Sequence, residues 1–135
     1  MEGFRSVYAH RVIFRDLDVL GHVNNAVYAT YFETGRMEYL AELGEASPMS
    51  LILAEVTITY KSPAFMRERL HIGTRVTEIR NSSFVVEGQI VEEQTGRLVA
   101  TSRAVLVHYD YAEGRSRPIP QEWRDAISQF EGRSL

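Results

Sequence analysis

The chain has 135 residues, enough to bury one hydrophobic core and too few for two domains, so residues 1–135 read as a single unit. Apolar residues make up 44% and charged residues 24%, and a net charge of −3 with interspersed signs argues against a broad cationic face for nucleic acid. Cysteine is absent, which removes disulfides, thiolate nucleophiles and Cys-based metal sites; no apolar run reaches membrane-spanning length and no signal-peptide core opens the chain, so the expected setting is the cytoplasm.

Residues 6–14 are rich in β-branched and aromatic side chains and read as a first strand. Residues 15–23 follow as a loop containing Gly21. From about 25 to 43 the pattern turns helical: Tyr28, Tyr31, Phe32, Gly35, Tyr39 and Leu43 fall at spacings of three and four on one broad face. Asn24 or Asn25 suits the helix cap, and Gly44 sits where helices commonly stop. Ala26, Ala29, Thr30 and Gly35 allow another element to approach closely, and the scarcity of charge in the first half predicts a largely buried helix.

A sheet curling around that helix is the natural cover. Residues 50–60, 69–80, 83–94 and 97–110 are four long β-type segments, with Val56, Ile58 and Tyr60 alternating against Glu55, Thr57 and Thr59. Asn81-Ser82 and Gln94-Thr95-Gly96 supply turns that join the last three into a meander. Pro63 breaks the chain after the second strand. A last helix is expected over 120–130, with Pro120 in its first turn and Trp123, Ile127 and Phe130 as one apolar stripe. The plan is α+β: a five-stranded antiparallel sheet around one long helix, plus a short C-terminal helix.

The chemistry concentrates at the junction between the first strand and the long helix. A helix start offers unpaired N–H donors and a positive dipole end, which suits a carbonyl oxygen that becomes an oxyanion. Asp16 and Asp18 precede it, and as loop aspartates they read equally as turn formers or dipole partners. Gly21 serves either a positive φ or the close passage of a substrate. His22 has no second ligand nearby, and His10, His71 and His108 lie scattered on strands, so no metal site is expected. Glu33 and Arg36, one turn apart, are positioned to pair across the surface.

The run Asp16-x-Asp18-x-x-Gly21-His22-Val23-Asn24-Asn25, followed by Phe32-Glu33 and Arg36, resembles the signature of the 4-hydroxybenzoyl-CoA thioesterase-like branch of the hotdog-fold thioesterases. The detailed match covers roughly residues 12–39, and the order of elements extends it to about residue 110. His22-Val23-Asn24-Asn25 is shared particularly with relatives acting on fatty acyl thioesters, including plant acyl-ACP thioesterases, and departs from the aromatic-specific type enzyme.

The resemblance implies hydrolysis of acyl-CoA or acyl-ACP thioesters without metal or organic cofactor. Asp18 becomes the catalytic carboxylate, as nucleophile or general base, and Asp16 a structural neighbour. The backbone N–H of Asn25 becomes the oxyanion donor, with His22 and the Asn24 side chain as auxiliaries and Gly21 and Val23 beside the substrate. Lys61, Arg67 and Arg69, flanking Pro63, are the candidate partners for CoA phosphates.

Hotdog enzymes build their sites between subunits, so the resemblance further implies a homodimer or homotetramer, with Asp18 facing residues 51–61 of a partner. Two other classes remain open on the same residues: a hydratase or dehydratase using Asp18 with His22, and a non-catalytic acyl-thioester binding protein.

Overall fold

The computed structural model describes residues 1–44 and 50–135. In chain order the elements are strand β1 (Ser6–Arg11), a 3₁₀ turn (Phe14–Asp16), helix α1 (Val27–Leu43), strands β2 (Leu51–Tyr60), β3 (Arg69–Ile79), β4 (Ser83–Glu92), β5 (Leu98–Asp110) and β6 (Arg115–Ser116), and helix α2 (Gln121–Glu131). All strand pairs are antiparallel, in the order β1-β3-β4-β5-β2, with β6 on the end of β5. The expected hotdog arrangement is thus present, with a sixth short strand that the sequence pattern did not signal. Asp110 Oδ1 accepts the Ala112 and Glu113 N–H groups and folds the chain back, which is what creates β6.

The α1 sequence packs as its periodicity predicts. Tyr28, Tyr31, Phe32, Gly35 and Tyr39 are buried, Leu43 is half-buried, and Gly44 ends the helix at φ +73° with its N–H on the Leu40 carbonyl. Gly35 lets the helix sit flush on β3: a Cβ there would stand 2.8 Å from Thr74 Oγ1 and 2.9 Å from Ile72 Cγ2.

Two expectations for this helix fail, for one geometric reason. A single sheet covers only one side of a cylinder, so Ala26, Ala29 and Thr30 remain exposed instead of buried. Arg36 lies on the covered side, 6% exposed, while Glu33 is exposed. The two form no surface ion pair, and Arg36 has no hydrogen-bonded or ion-paired partner among the described residues. Burial lowers the guanidinium pKa, opposed by the nearby Glu33 charge.

The core divides along α1. Near the helix start, Val12, Val23, Tyr28, Tyr31, Phe32, Leu70 and Ile90 pack together, and at the far end Tyr39, Phe84, Trp123 and Ile127 form a second cluster. Pro120 is the N-cap of α2 and stands just ahead of the first turn. Phe130 meets Tyr39 edge-on at 5.2 Å. Glu131 Oε2 accepts bonds from the Tyr39 hydroxyl (2.7 Å) and the Val76 N–H (2.9 Å), beside the register shift between Val76 and Glu78. The β1–β3 register ends at Ser6 and Thr74, leaving that N–H beyond the end of β1, so α2 completes the sheet's hydrogen bonding as well as its apolar cover.

β2 differs from the other long strands. It is an edge strand, and Leu53, Val56 and Tyr60 are 45%, 40% and 47% exposed. The alternation seen in its sequence is real, but its inner face is only partly covered: Leu51 and Ile58 pack against the core clusters while the residues between them stay exposed.

Gly35→Ala tests the helix–sheet contact. Alanine gains roughly 1 kcal/mol in helix propensity, yet overpacking against two stiff β-branched side chains costs about 1–3 kcal/mol. A lowered Tm is expected by thermal denaturation, the opposite of what propensity alone predicts.

Candidate active site

The loop from Asp18 to His22 is closed by local bonds. The Asp18 N–H donates to the His22 carbonyl (2.9 Å), the Gly21 N–H to the Asp18 carbonyl (3.2 Å), and the Leu20 N–H to Asp18 Oδ1 (2.8 Å). Gly21 adopts φ +88°, and a Cβ there would meet nothing within 4 Å. Of the two reasons for a glycine, the backbone one holds: the turn needs the left-handed conformation. Asp18 Oδ2 lies 3.4 Å from His22 Nδ1, which is also 3.3 Å from the Val23 carbonyl. The Asp18 side chain is 23% exposed, sheltered but reachable from solvent.

Asp16 has the structural role expected of it, and the geometry explains why. Its Oδ2 accepts from the buried Tyr31 hydroxyl (2.8 Å) and the Ile13 N–H (3.1 Å), and stands 3.1 Å from His10 Nε2. Burial works to raise the Asp16 carboxyl, but the bonds from His10, Ile13 and Tyr31 outweigh it and hold the group below its ordinary value. Burial, followed by the Asp16 bond and charge, pushes the Tyr31 phenol far up. The backbone carbonyl of Asp16 also accepts the Asn24 N–H (2.9 Å), tying the loop to the helix start.

At that start three successive acceptor contacts hold the chain. The Asn24 N–H goes to Asp16, the Ala26 N–H to Asn24 Oδ1 (2.9 Å), and the Val27 N–H to the Asn24 carbonyl (2.9 Å). Asn24 therefore caps the helix from two positions ahead of the Ala26 N-cap. The Asn25 N–H donates to no group among the described residues, and Asn25 is exposed. That free amide, flanked by satisfied ones, sits at the positive end of α1.

A cleft of about 250 Å³ opens beside it, lined by His22, Val23, Asn25, Tyr28, Tyr60, Lys61, Ser62 and Pro63. Val23 borders it, but its side chain is wholly buried in the core. The three candidate cations do not converge. Lys61 lines this cleft, whereas Arg67 and Arg69 line a separate groove of about 400 Å³ with Glu92, Glu93 and Arg97. Arg69 pairs with Glu93 at 2.8 Å, while Lys61 and Arg67 have no carboxylate partner among the described residues. The same residues contain no cluster of three His, Cys, Asp or Glu able to hold a metal.

Sequence reasoning missed the contributions of His10, Tyr28, Tyr31 and Tyr60 to this region. Tyr28 Oη accepts the Ala64 N–H (3.3 Å) and Tyr60 Oη donates to the Asn25 carbonyl (3.0 Å). These tyrosines sit at regular core spacings, and only the direction of each hydroxyl distinguishes them from packing residues.

Residues 12–127 match the family model described as the thioesterase-like superfamily. The chain is 25% identical to the long-chain acyl-CoA thioesterase FadM of Escherichia coli K12, over 84% of this chain and 90% of that protein. It is 34% identical to the chloroplastic acyl-acyl carrier protein thioesterase ATL3 of Arabidopsis thaliana, over 85% of this chain and 63% of that one. Among solved structures, a thioesterase from Thermus thermophilus complexed with coenzyme A and zinc superposes with a TM-score of 0.89, 34% identity and complete coverage of both chains.

The Asp16 network sets an acid dependence. A carboxyl whose folded pKa is depressed stabilises the protein above its unfolded pKa, and that contribution is lost as pH falls through the folded value. Asp16→Ala is expected to cost about 2 kcal/mol at pH 7, by loss of buried hydrogen bonds. The gap from wild type should narrow once pH drops below the ordinary carboxylate range, as read by denaturant titration at pH 7 and pH 3.

Proposed function

The chain belongs to the thioesterase-like superfamily and is a thioesterase, and we propose that Asp18 and the Asn25 N–H together carry out hydrolysis of an acyl-CoA or acyl-ACP thioester. The observation that carries the reading is the Asn25 amide at the helix start, which has no acceptor among the described residues, set beside the Asp18 loop that its own hydrogen bonds close.

In this reading the thioester carbonyl oxygen accepts the Asn25 N–H. Thioesters have weak resonance stabilisation, so a carboxylate and one or two backbone donors suffice. Asp18 either attacks the carbonyl carbon, expelling the thiolate and leaving a mixed anhydride that water opens, or it deprotonates a water that attacks directly. Both routes give one carboxylic acid and one thiol. His22, 3.4 Å from Asp18, orients the carboxylate. The same Asp18–His22 proximity favours a second reading, proton transfer to carbon in a hydratase, which would form or remove a double bond with the thioester intact.

Lys61 on the cleft and Arg67 on the neighbouring groove are the cations proposed for phosphates of the carrier, because neither is engaged by a carboxylate of the described residues. Arg69, held by Glu93, is the weaker of the three.

We also propose that the active form is a homodimer or a pair of dimers. The free edge of β2 and its uncovered side chains Leu53, Val56 and Tyr60 support pairing with a second copy, which removes an exposed edge and buries apolar surface. Asp18 would then face residues 51–61 of a partner, while Tyr60 and Lys61 of its own chain stay beside its own Asn25.

Free-thiol release from a panel of short, medium, long-chain and aromatic acyl-CoAs tests the chemistry, with no cysteine in the protein to give background. Asp18→Asn is expected to lower kcat by at least about 10³-fold with Tm unchanged. Turnover surviving in that variant would remove Asp18 from the mechanism, and double-bond chemistry without thiol release would favour the hydratase. For assembly, Val56→Asp should shift the sedimentation velocity to that of a monomer and abolish turnover; an active monomer would contradict the shared site.

A further inference from the structure

Resting on the thioester-hydrolysis reading, we propose that Tyr60 is a positioning residue: its hydroxyl fixes the peptide that aims the Asn25 N–H into the cleft. The hydroxyl donates to the Asn25 carbonyl at 3.0 Å, across 35 residues of sequence. The N–H of that same peptide, on Ala26, is held by Asn24 Oδ1 at 2.9 Å. The Asn25–Ala26 peptide plane is thus gripped at both of its polar atoms. It follows the Asn25 N–H directly in the chain, so gripping it restricts ψ of Asn25 and with it the direction of the free donor.

The local context makes this grip consequential. Residues 24–26 are exposed and precede the regular helix, and the Ala26 N-cap has no side-chain bond of its own. Apart from Tyr60 and Asn24, only backbone among the described residues holds that turn in place. The Tyr60 ring packs edge-on against Tyr28 at 5.4 Å, a contact that phenylalanine would make equally well. Its hydroxyl has one hydrogen-bond partner among the described residues, the Asn25 carbonyl. A ring 47% exposed at the end of an edge strand gains little from burial, so the hydroxyl is the part of the side chain with a distinct task.

Tyr60 is the last residue of β2, an edge strand. Whatever orders β2 also orders Tyr60, and through it the donor. Assembly along that edge is coupled to the oxyanion site by one hydrogen bond. A donor that binds transition-state charge must be in place beforehand; loosening it lowers kcat more than it weakens ground-state binding.

The test compares Tyr60→Phe, Asn24→Ala and the double variant with wild type, reading acyl-CoA hydrolysis and hydrogen exchange of the Ala26 and Val27 amides by NMR. Tyr60→Phe should lower kcat about tenfold with KM within about twofold, leave Tm and assembly as in wild type, and speed exchange at Ala26 and Val27. Because Tyr60 and Asn24 act on one peptide, the double variant should lose less than the product of the single losses. Unchanged kcat and exchange would overturn the proposal, as would a kcat loss with unchanged exchange, which would make Tyr60 a substrate contact. A loss of Tm or assembly in step with kcat would reduce it to a structural residue. If wild type releases thiol from no ester, the hydrolysis reading fails, while the exchange data still decide whether Tyr60 holds the turn.

Discussion

A helix cannot begin without leaving backbone N–H groups that no earlier turn can satisfy, and the disposition of those groups organises one whole end of this protein. The Asp16 carbonyl takes the Asn24 N–H, Asn24 takes two through its side chain and carbonyl, and between them the Asn25 amide has no acceptor among the described residues. Asp16 is held in the core by Tyr31, His10 and Ile13. The 18–22 turn is held by its own backbone and by the left-handed Gly21. A solvent-facing amide among satisfied ones costs little in the free protein and is available to a ligand oxygen at once. That is what electrostatic preorganisation requires: no reorganisation is needed when charge develops.

The fold supplies this end by simple means. Tyrosines and Phe32 of α1 fill the concave side of the sheet, with Gly35 allowing the helix to seat on β3. At the opposite end, α2 closes the sheet and lends Glu131 to a β3 amide that lies beyond the end of β1. The two core clusters thus divide the labour: the far one anchors the helix and the near one presents its first turn. What the described residues do not cover is the β2 flank, where an edge strand and the small-residue side of α1 face outward together.

Much of this was legible in the sequence where the signal is local. Strand and helix periods, Gly44 as the helix stop, and the clustering of Asp18, Gly21, His22 and Asn25 all depend on residues close in the chain. Less legible were features joining distant residues. Tyr31 to Asp16 spans 15 residues, Tyr60 to Asn25 spans 35, and Tyr39 to Glu131 spans 92. Periodicity places those tyrosines on the right face but does not say where a hydroxyl points. Arg36 misled for a related reason: a Glu and an Arg three positions apart read as a surface pair, yet a difference of about 60° around the helix puts one outside and the other beneath the sheet. Lys61, Arg67 and Arg69 are neighbours in sequence, and the bend after Pro63 carries them to different grooves.

Oxyanion binding at the helix start rests on the Asn25 amide. Its most direct test is a ¹H–¹⁵N titration of the protein with a non-hydrolysable acyl-CoA analogue that keeps a carbonyl in place of the thioester. The Asn25 amide proton should move strongly downfield as it gains its first acceptor, while the amides of Asn24, Ala26 and Val27, already bonded, shift far less. An Asn25 signal that stays still while the analogue saturates its site would mean that the carbonyl is polarised elsewhere, and the mechanism built on the helix start would be wrong.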